Sequence, residues 1–222
     1  MIPHQTHQGM PELEISDKQT GAVRYLEHGC PHWRIRWHYH DEYELHLIVA
    51  SSGKMFIGDY IGLFQPGCLV LTGPRLPHNW VTNVIDNTHY ALRDRVVHFD
   101  HDVIVGAVAL FPELSMLLPL LDRARYGIEF LHHADAAEKY MMQIKESDGV
   151  ARVGYFCELL DLLAHTPHQQ VLSTTQINLP INSEFQRKID LVIQFVMGHY
   201  EQKIALAQIA RLVGMSEGHF SR

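Results

Sequence analysis

Cysteine is scarce in this 222-residue chain: Cys30, Cys68 and Cys157 are odd in number and far apart, with no CxxC spacing. That pattern disfavours a disulfide framework or a cysteine-based zinc site. No apolar run approaches the roughly 18 residues that span a bilayer. The opening residues, MIPHQTHQGMPELE, lack the basic flank and apolar stretch of a secretory signal. A cytoplasmic location with no membrane partner is the expectation. Basic residues are also few, 18 Lys and Arg against 25 Asp and Glu, for a formal charge of −7. Such a surface does not suit polyanion binding over its whole extent, although a local DNA-reading element fits it. Charged residues make up 19% and hydrophobic residues 46% of the chain, the balance of a folded soluble protein rather than a disordered one.

What the chain has in excess is histidine, 17 in all. Most are scattered (His4, His7, His28, His32, His132, His133, His168) and read as solvated surface groups. Only histidines in defined spacings carry functional weight. Residues 1–30 read as a polar arm. From Trp33 to about Asp100, short β-prone runs such as RIRWHYH, ELHLIVASS, CLVLTG and YALRDRVVHF alternate with Gly53, Gly58, Gly62, Pro66-Gly67, Gly73-Pro74 and Pro77. Closely spaced strands with Gly/Pro turns predict an all-β sandwich or barrel.

From about Pro112 the period becomes helical, with Leu114, Leu117, Leu118 and Leu121 on one face and a break at Tyr126-Gly127. A second helix is predicted from Asp135 as N-cap, with Glu138 three residues on. A third helix follows Gly149 and carries the stripe Val153, Phe156, Cys157, Leu160 and Leu163. This stripe either pairs two subunits, giving a homodimer, or packs on the protein's own β domain. Residues 167–182 are polar, Pro-containing and aperiodic, as in a linker. Ser183 with Gln186 then makes a capping-box start for a helix lined by Ile189, Val192, Ile193 and Val196. No internal repeats occur.

The last stretch, KIALAQIARLVGMSEGHFSR, predicts two short helices. Leu206, Ile209, Ala210 and Val213 are buried-type positions. Gly214 suits a left-handed stop, Met215 and Phe220 pack inward, and Ser216 caps the second helix. Two short helices around a Gly-containing turn make either a plain α-hairpin or a helix-turn-helix, whose second helix offers its N-terminal residues to base edges. Residues 183–222 hold five basic residues (Arg187, Lys188, Lys203, Arg211, Arg222) against four acidic ones (Glu184, Asp190, Glu201, Glu217), a balance of +1, with −8 on the rest. The tail is less acidic than the body but is no basic patch, so phosphate affinity is expected to be weak.

The run Leu206-Ala207-Gln208-Ile209-Ala210, then Gly214-Met215-Ser216, then Phe220-Ser221-Arg222, closely resembles the first helix-turn-helix of AraC-family transcriptional regulators. The resemblance implies candidate DNA contacts at Ser216, Glu217, His219, Ser221 and Arg222. Family members carry two such units joined by a long helix. This chain stops at Arg222, so a C-terminally truncated member is expected. In the β-rich part, His38, His40 and Glu44 share parity in an extended strand, and His78 on a later strand completes a set suited to Zn, Fe, Mn or Ni. The spacing HxHxxxE with a downstream Gly, then Pro66-Gly67 and His78-Asn79, resembles the two motifs of the cupin barrel. Cupins serve as sensor domains of many AraC-family regulators, and Arg125–Phe130 is similar to the connecting region of that subgroup.

The fold class expected from these resemblances is α+β: an N-terminal arm (1–30), a cupin-like barrel (31–104), a helical connecting and dimerising region (105–166), a linker (167–182) and a partial all-α helix-turn-helix domain (183–222). The expected function is a non-enzymatic, sequence-specific DNA-binding regulator that senses a small molecule. Trp37, His38, His40, Glu44, His78 and Trp80 are the candidate effector-binding residues. Trp33 and Trp80 are equally well placed as plain core. In sensor cupins the His/Glu motif is often retained as architecture, so no cofactor is expected, and His38, His40, Glu44 and His78 stand only as secondary metal candidates. The alternatives are a metal-dependent cupin enzyme of dioxygenase or isomerase type, and a truncated partner forming mixed dimers with full-length regulators.

Overall fold

A computed structural model describes residues 12–13, 21–30, 37–83, 89–175, 188, 191–192, 195–196, 199 and 202–221. The chain divides into two compact units, one of Leu13–Ile177 and one of Asn178–Arg222 with Met1–Glu12. Eleven strands occur among the described residues: β1 (Glu12–Leu13), which straddles the boundary of the units, and, in the larger unit, β2 (Val23–Cys30), β3 (His38–Tyr39), β4 (Tyr43–Ile48), β5 (Gly53–Ile57), β6 (Tyr60–Phe64), β7 (Leu69–Thr72), β8 (His78–Thr82), β9 (Tyr90–Phe99), β10 (Ile128–Phe130) and β11 (Gln169–Val171). They form two antiparallel sheets, ordered β1-β3-β8-β5-β6 and β11-β10-β7-β4-β9-β2.

Among the described residues these sheets do not close into the expected barrel. A cleft separates β6, at one edge, from β10, and β3 is only two residues long. Residues 23–30, assigned above to an arm, are a full strand paired to β9 from Val23↔Phe99 to Cys30↔Tyr90. The alternation in VRYLEHGC is blurred because only its ends are buried, so periodicity alone does not reveal it.

The helices are α1 (His101–Leu110), α2 (Leu118–Ala124) after a 3₁₀ turn at Pro112–Leu117, α3 (Ala134–Glu146) and α4 (Gly149–His165). α1 and the short strands β10 and β11 escape a sequence reading. HDVIVGAVAL is rich in β-branched residues, which favour strands. Gly127 adopts φ +69° after α2, and a Cβ there would lie 2.5 Å from Ile57 Cγ2. The break at Tyr126-Gly127 is thus both a left-handed turn and a close approach. α3 begins two residues earlier than expected, with His133 rather than Asp135 at its N-cap position and no side-chain cap.

The six-stranded sheet is buried on both faces, and side-chain parity decides which residue goes where. Tyr43, Leu45 and Leu47 of β4, Leu69 and Leu71 of β7, and Val97 and Phe99 of β9 join the helices in one apolar core. Phe156, Leu160 and Leu163 of α4 belong to that same core. The stripe proposed for dimerisation is therefore spent largely within the subunit: Phe156 meets Phe99 edge-on at 5.0 Å, and only Val153 is half exposed. On the other face, Ile48, Met55, Ile57, Val70, Leu76, Trp80 and Leu172 form a smaller cluster between the sheets.

The chain leaves this unit along β11. Leu172 N–H donates to Gly127 O and Ser173 N–H to Tyr126 O. Asp59, in the β5–β6 turn, accepts from Ser173 Oγ at 2.6 Å and Thr174 N at 2.9 Å, bonds that hold its carboxyl well below the ordinary range.

Phe99 is fully buried and stacks on Tyr43 at 5.0 Å. Phe99→Ala is expected to lower stability by ~3–5 kcal/mol in urea unfolding, the usual cost of emptying an aromatic site in a packed core. A loss below ~1 kcal/mol would contradict this packing.

Candidate functional site

The polar centre lies between the sheets, and strand pairing builds it. His38 stands directly opposite His78 across β3/β8, and Glu44 directly opposite His98 across β4/β9. His46, two residues beyond Glu44, points to the same face. One sheet therefore supplies His38, His78 and Trp80, and the other supplies Glu44, His46 and His98. His40, just before β4, fills the gap between them.

Glu44 is the hub. Its Oε2 lies 2.8 Å from His98 Nε2 and 3.2 Å from His40 Nε2. Its Oε1 lies 2.8 Å from His46 Nδ1 and 3.6 Å from His78 Nε2. Burial by itself pushes this carboxyl up, but the imidazoles of His78, His40 and His46 outweigh it and hold the group well below its ordinary value. Behind His46 stands a second acid, with His46 Nε2 3.3 Å from Asp94 Oδ2. Both ring nitrogens of His46 therefore face carboxylates. Burial lowers its pKa, and the charges of Asp94 and Glu44 overcome that and raise it. Asp94 also accepts from Arg93 Nε at 2.6 Å and lies 2.8 Å from His28 Nδ1. Burial alone raises Asp94, but His46, His28 and Arg93 hold its pKa far down.

Trp80 stacks on His46 at 3.8 Å and roofs the pair. His38 and His78 lie 4.3 Å apart by ring centroid, and His40 and His78 5.1 Å. The structure thus brings His38, His40, Glu44, His78 and Trp80 together, while Trp37 is half-buried with its Nε1 unpaired among the described residues. Trp33 lies outside the described residues. Sequence reasoning missed His46, His98 and Asp94. His46 was legible from its parity with Glu44, whereas His98 and Asp94 depend on the β4/β9 register.

Two of the rings have their tautomer set by the backbone. His40 Nδ1 faces Glu42 O at 3.0 Å, and His78 Nδ1 faces Leu76 O at 2.7 Å. A ring nitrogen facing a carbonyl carries the proton, so the neutral rings aim their Nε2 lone pairs at Glu44. The donor atoms of His38, His40, Glu44 and His78 lie within 4.8 Å of one another. Three imidazoles and one carboxylate form an N/O donor set that suits a divalent transition metal, and backbone-anchored Nδ1 groups are the usual support for such ligands. His78 Nε2 is buried without a hydrogen-bond partner. The residues fit such an ion.

The smaller unit carries α5 (Leu206–Leu212) and α6 (Glu217–Phe220). Gln208 caps back to Ala205 N–H at 3.0 Å. Gly214 has φ +67°. Gly214 N–H donates to Arg211 O at 3.1 Å, and Met215 N–H to Ala210 O at 2.8 Å. That doubled pattern is the Schellman stop, for which glycine is favoured. Ser216 Oγ accepts from His219 N–H at 3.3 Å and caps α6. Ala210 and Val213 are buried, whereas Leu206, in the first turn, is 43% exposed. Ser216, Glu217, His219 and Ser221 are all exposed. Arg222 and the capping box at Ser183 and Gln186 lie outside the described residues.

No protein-family profile and no curated protein matches this sequence. Solved structures do resemble it weakly. The AraC-like transcriptional activator CuxR aligns at 13% identity and TM-score 0.38 over 80% of this chain, which spans 58% of the CuxR chain. ToxT K231A from Vibrio cholerae aligns at 8% identity and TM-score 0.44, covering 90% of this chain and 73% of that one. ToxT bound to (E)-4-(8-methylnaphthalen-1-yl)but-3-enoic acid gives 10% identity and TM-score 0.37, with 90% and 93% coverage. Among the described residues no helix is long and apolar enough to cross a membrane.

Removing one partner from a buried charge network costs ~3–5 kcal/mol, and Glu44→Gln is expected to do so. Glu44 has a depressed pKa, so its stabilisation is full above the ordinary 4.5 and is lost as pH falls toward the folded value. His46 has a raised pKa, so its share is full below the ordinary 6.5 and is lost as pH rises through the folded value. The network's contribution is therefore greatest between these limits. Chelator-treated protein followed by thermal unfolding against pH checks this. A Glu44→Gln variant with an unchanged acid limb and unchanged midpoint would overturn it.

Proposed function

We propose that the protein is a one-component transcriptional regulator of AraC type, without catalytic activity. In this reading its β unit takes up a small molecule at the Glu44 cluster, and its C-terminal unit reads DNA. The observation that carries the reading is the stop-and-cap geometry at Gly214 and Ser216. It leaves Glu217 and His219 exposed on the opening turn of a short second helix, where a helix-turn-helix meets base edges. Ser216 and Ser221 sit where phosphate or base contacts fall, and Arg222 follows in sequence. The linker belongs within residues 167–182. Ligand uptake shifts an equilibrium that exists without it. A homodimer is part of the reading, supported by the apolar side chains left exposed at Val103, Val105, Leu110 and Phe111 rather than by the α4 stripe.

Selection of bound duplexes from a random pool at low salt tests the DNA-reading half. A defined sequence preference is expected, and His219→Ala or Glu217→Ala should relax it by ~1–3 kcal/mol at single base positions. Uniform binding of all sequences, unaffected by both substitutions, would discard the proposal.

A second reading is favoured by the orphaned Nε2 of His78: the cluster holds a divalent transition metal, with His38, His40, Glu44 and His78 as ligands. Such an ion supplies a Lewis-acidic anchor for an oxygen-bearing effector. Elemental analysis of protein purified without added metal is expected to give stoichiometric metal, lost in His78→Ala. Metal-free protein that takes up no Zn, Fe, Mn or Ni on dialysis would rule the reading out. Stoichiometric Fe with substrate-dependent oxygen uptake would favour the dioxygenase alternative instead.

A further inference from the structure

The open seam between the two sheets contains a cleft of about 830 Å³, within the size range of small-molecule sites. It lies between the end of β6, the turn at Gln65–Cys68, and β10 with the residues that lead into α3. None of its lining residues belongs to the Glu44 cluster. Glu129 of β10 is part of its wall. Ile128 and Phe130 turn toward the helices, so parity turns Glu129 the other way, toward the seam.

Glu129 is an unusual group in this position. Its hydrogen-bond partner among the described residues is a thiol, with Cys68 Sγ donating to Glu129 Oε1 at 3.6 Å. Among the described residues it has no ion pair, and the described lining of the cleft contains neither Lys nor Arg. Burial raises the carboxyl's pKa, the signature of an acid that has lost water without gaining a cation. Asp135, at the start of α3, adds a second acid to the wall. The remaining walls mix the apolar Phe64, Pro66, Leu131 and Leu63, the last 75% exposed at the rim, with the polar Ser52, Gln65, Asn83 and His132. The carboxylates together with the apolar part of the wall favour a ligand that carries both charge and hydrocarbon. The complementary ligand has one cationic head and a hydrocarbon body.

We propose that this seam is a binding site for a small organic ammonium compound, with Glu129 receiving the ammonium and Leu63, Phe64 and Leu131 receiving the apolar body. The site shares no lining residue with the C-terminal unit or with the Glu44 cluster, and it does not depend on either function proposed for them.

The test is calorimetric titration of the whole chain, in EDTA, with phenethylammonium chloride, phenylacetate and 2-phenylethanol as probes. EDTA removes any contribution from a metal at the other centre. Phenethylammonium is expected to bind at least about tenfold more tightly than either comparator, the worth of one charge-assisted contact. Glu129→Gln is expected to erase that preference. Leu63→Lys, which adds a cation at an exposed rim position and leaves the core alone, is expected to weaken phenethylammonium alone by a similar factor. Equal or tighter binding of phenylacetate, absence of phenethylammonium binding up to about 10 mM, or unchanged preference in both variants would overturn the proposal.

Discussion

Everything between the two sheets is arranged around one charged carboxylate. Glu44 is buried, and an isolated ion there would be prohibitive. It is charged because imidazoles from both sheets converge on it: His98 from its own sheet, His78 from the opposite one, and His40 from the connection. That requirement fixes much else. β4 must pair with β9 in the register that sets Glu44 against His98. β3 must meet β8 so that His38 and His78 share the opposite wall. Asp94 must stand behind His46, because that ring is gripped on both nitrogens. A slip of one residue in β4 would turn Glu44 and His46 into the apolar helical layer and Leu45 and Leu47 into the polar centre.

Part of this was legible in the sequence. The shared parity of His38, His40 and Glu44 is a property of extended chain, and the Gly/Pro punctuation marked the turns. Gly214 and Ser216 announced their local geometry because a left-handed stop and an N-cap are decided within a few residues. The parts that were not legible depend on pairing over long distances. His98 and Asp94 look ordinary in RDRVVHF until β9 is set beside β4. Residues 23–30 look like an arm because they are buried only at the strand ends. α1 was not marked out because its valines and isoleucine disfavour a clear helical signal before Pro112. The α4 stripe shows a helix face that is covered without saying by what, and Phe99 in the same subunit is part of the answer. A barrel was expected where the chain forms two sheets with a seam, because strand count and turn spacing do not encode closure.

The two units separate kinds of chemistry. The large unit concentrates buried charge, with paired acids and imidazoles enclosed by aromatic rings. Among its described residues, the small unit exposes short polar side chains on a helix start and buries Ala210 and Val213. A ligand can act on the first by replacing a proton or a hydrogen bond within a crowded set, where a small change alters several contacts at once. The second has a near-neutral charge balance and so offers little general attraction to phosphate.

The six-stranded sheet is held on its two faces by different forces. Hydrocarbon presses the helices onto one side, while ionic contacts and a smaller apolar cluster join the other side to the second sheet. Cold weakens the first kind of attachment and acid the second. Acidification should therefore peel the five-stranded layer away while the helices stay seated, yielding a half-opened molecule whose far-ultraviolet signal outlasts its tryptophan signal, since Trp80 sits on the layer that comes loose.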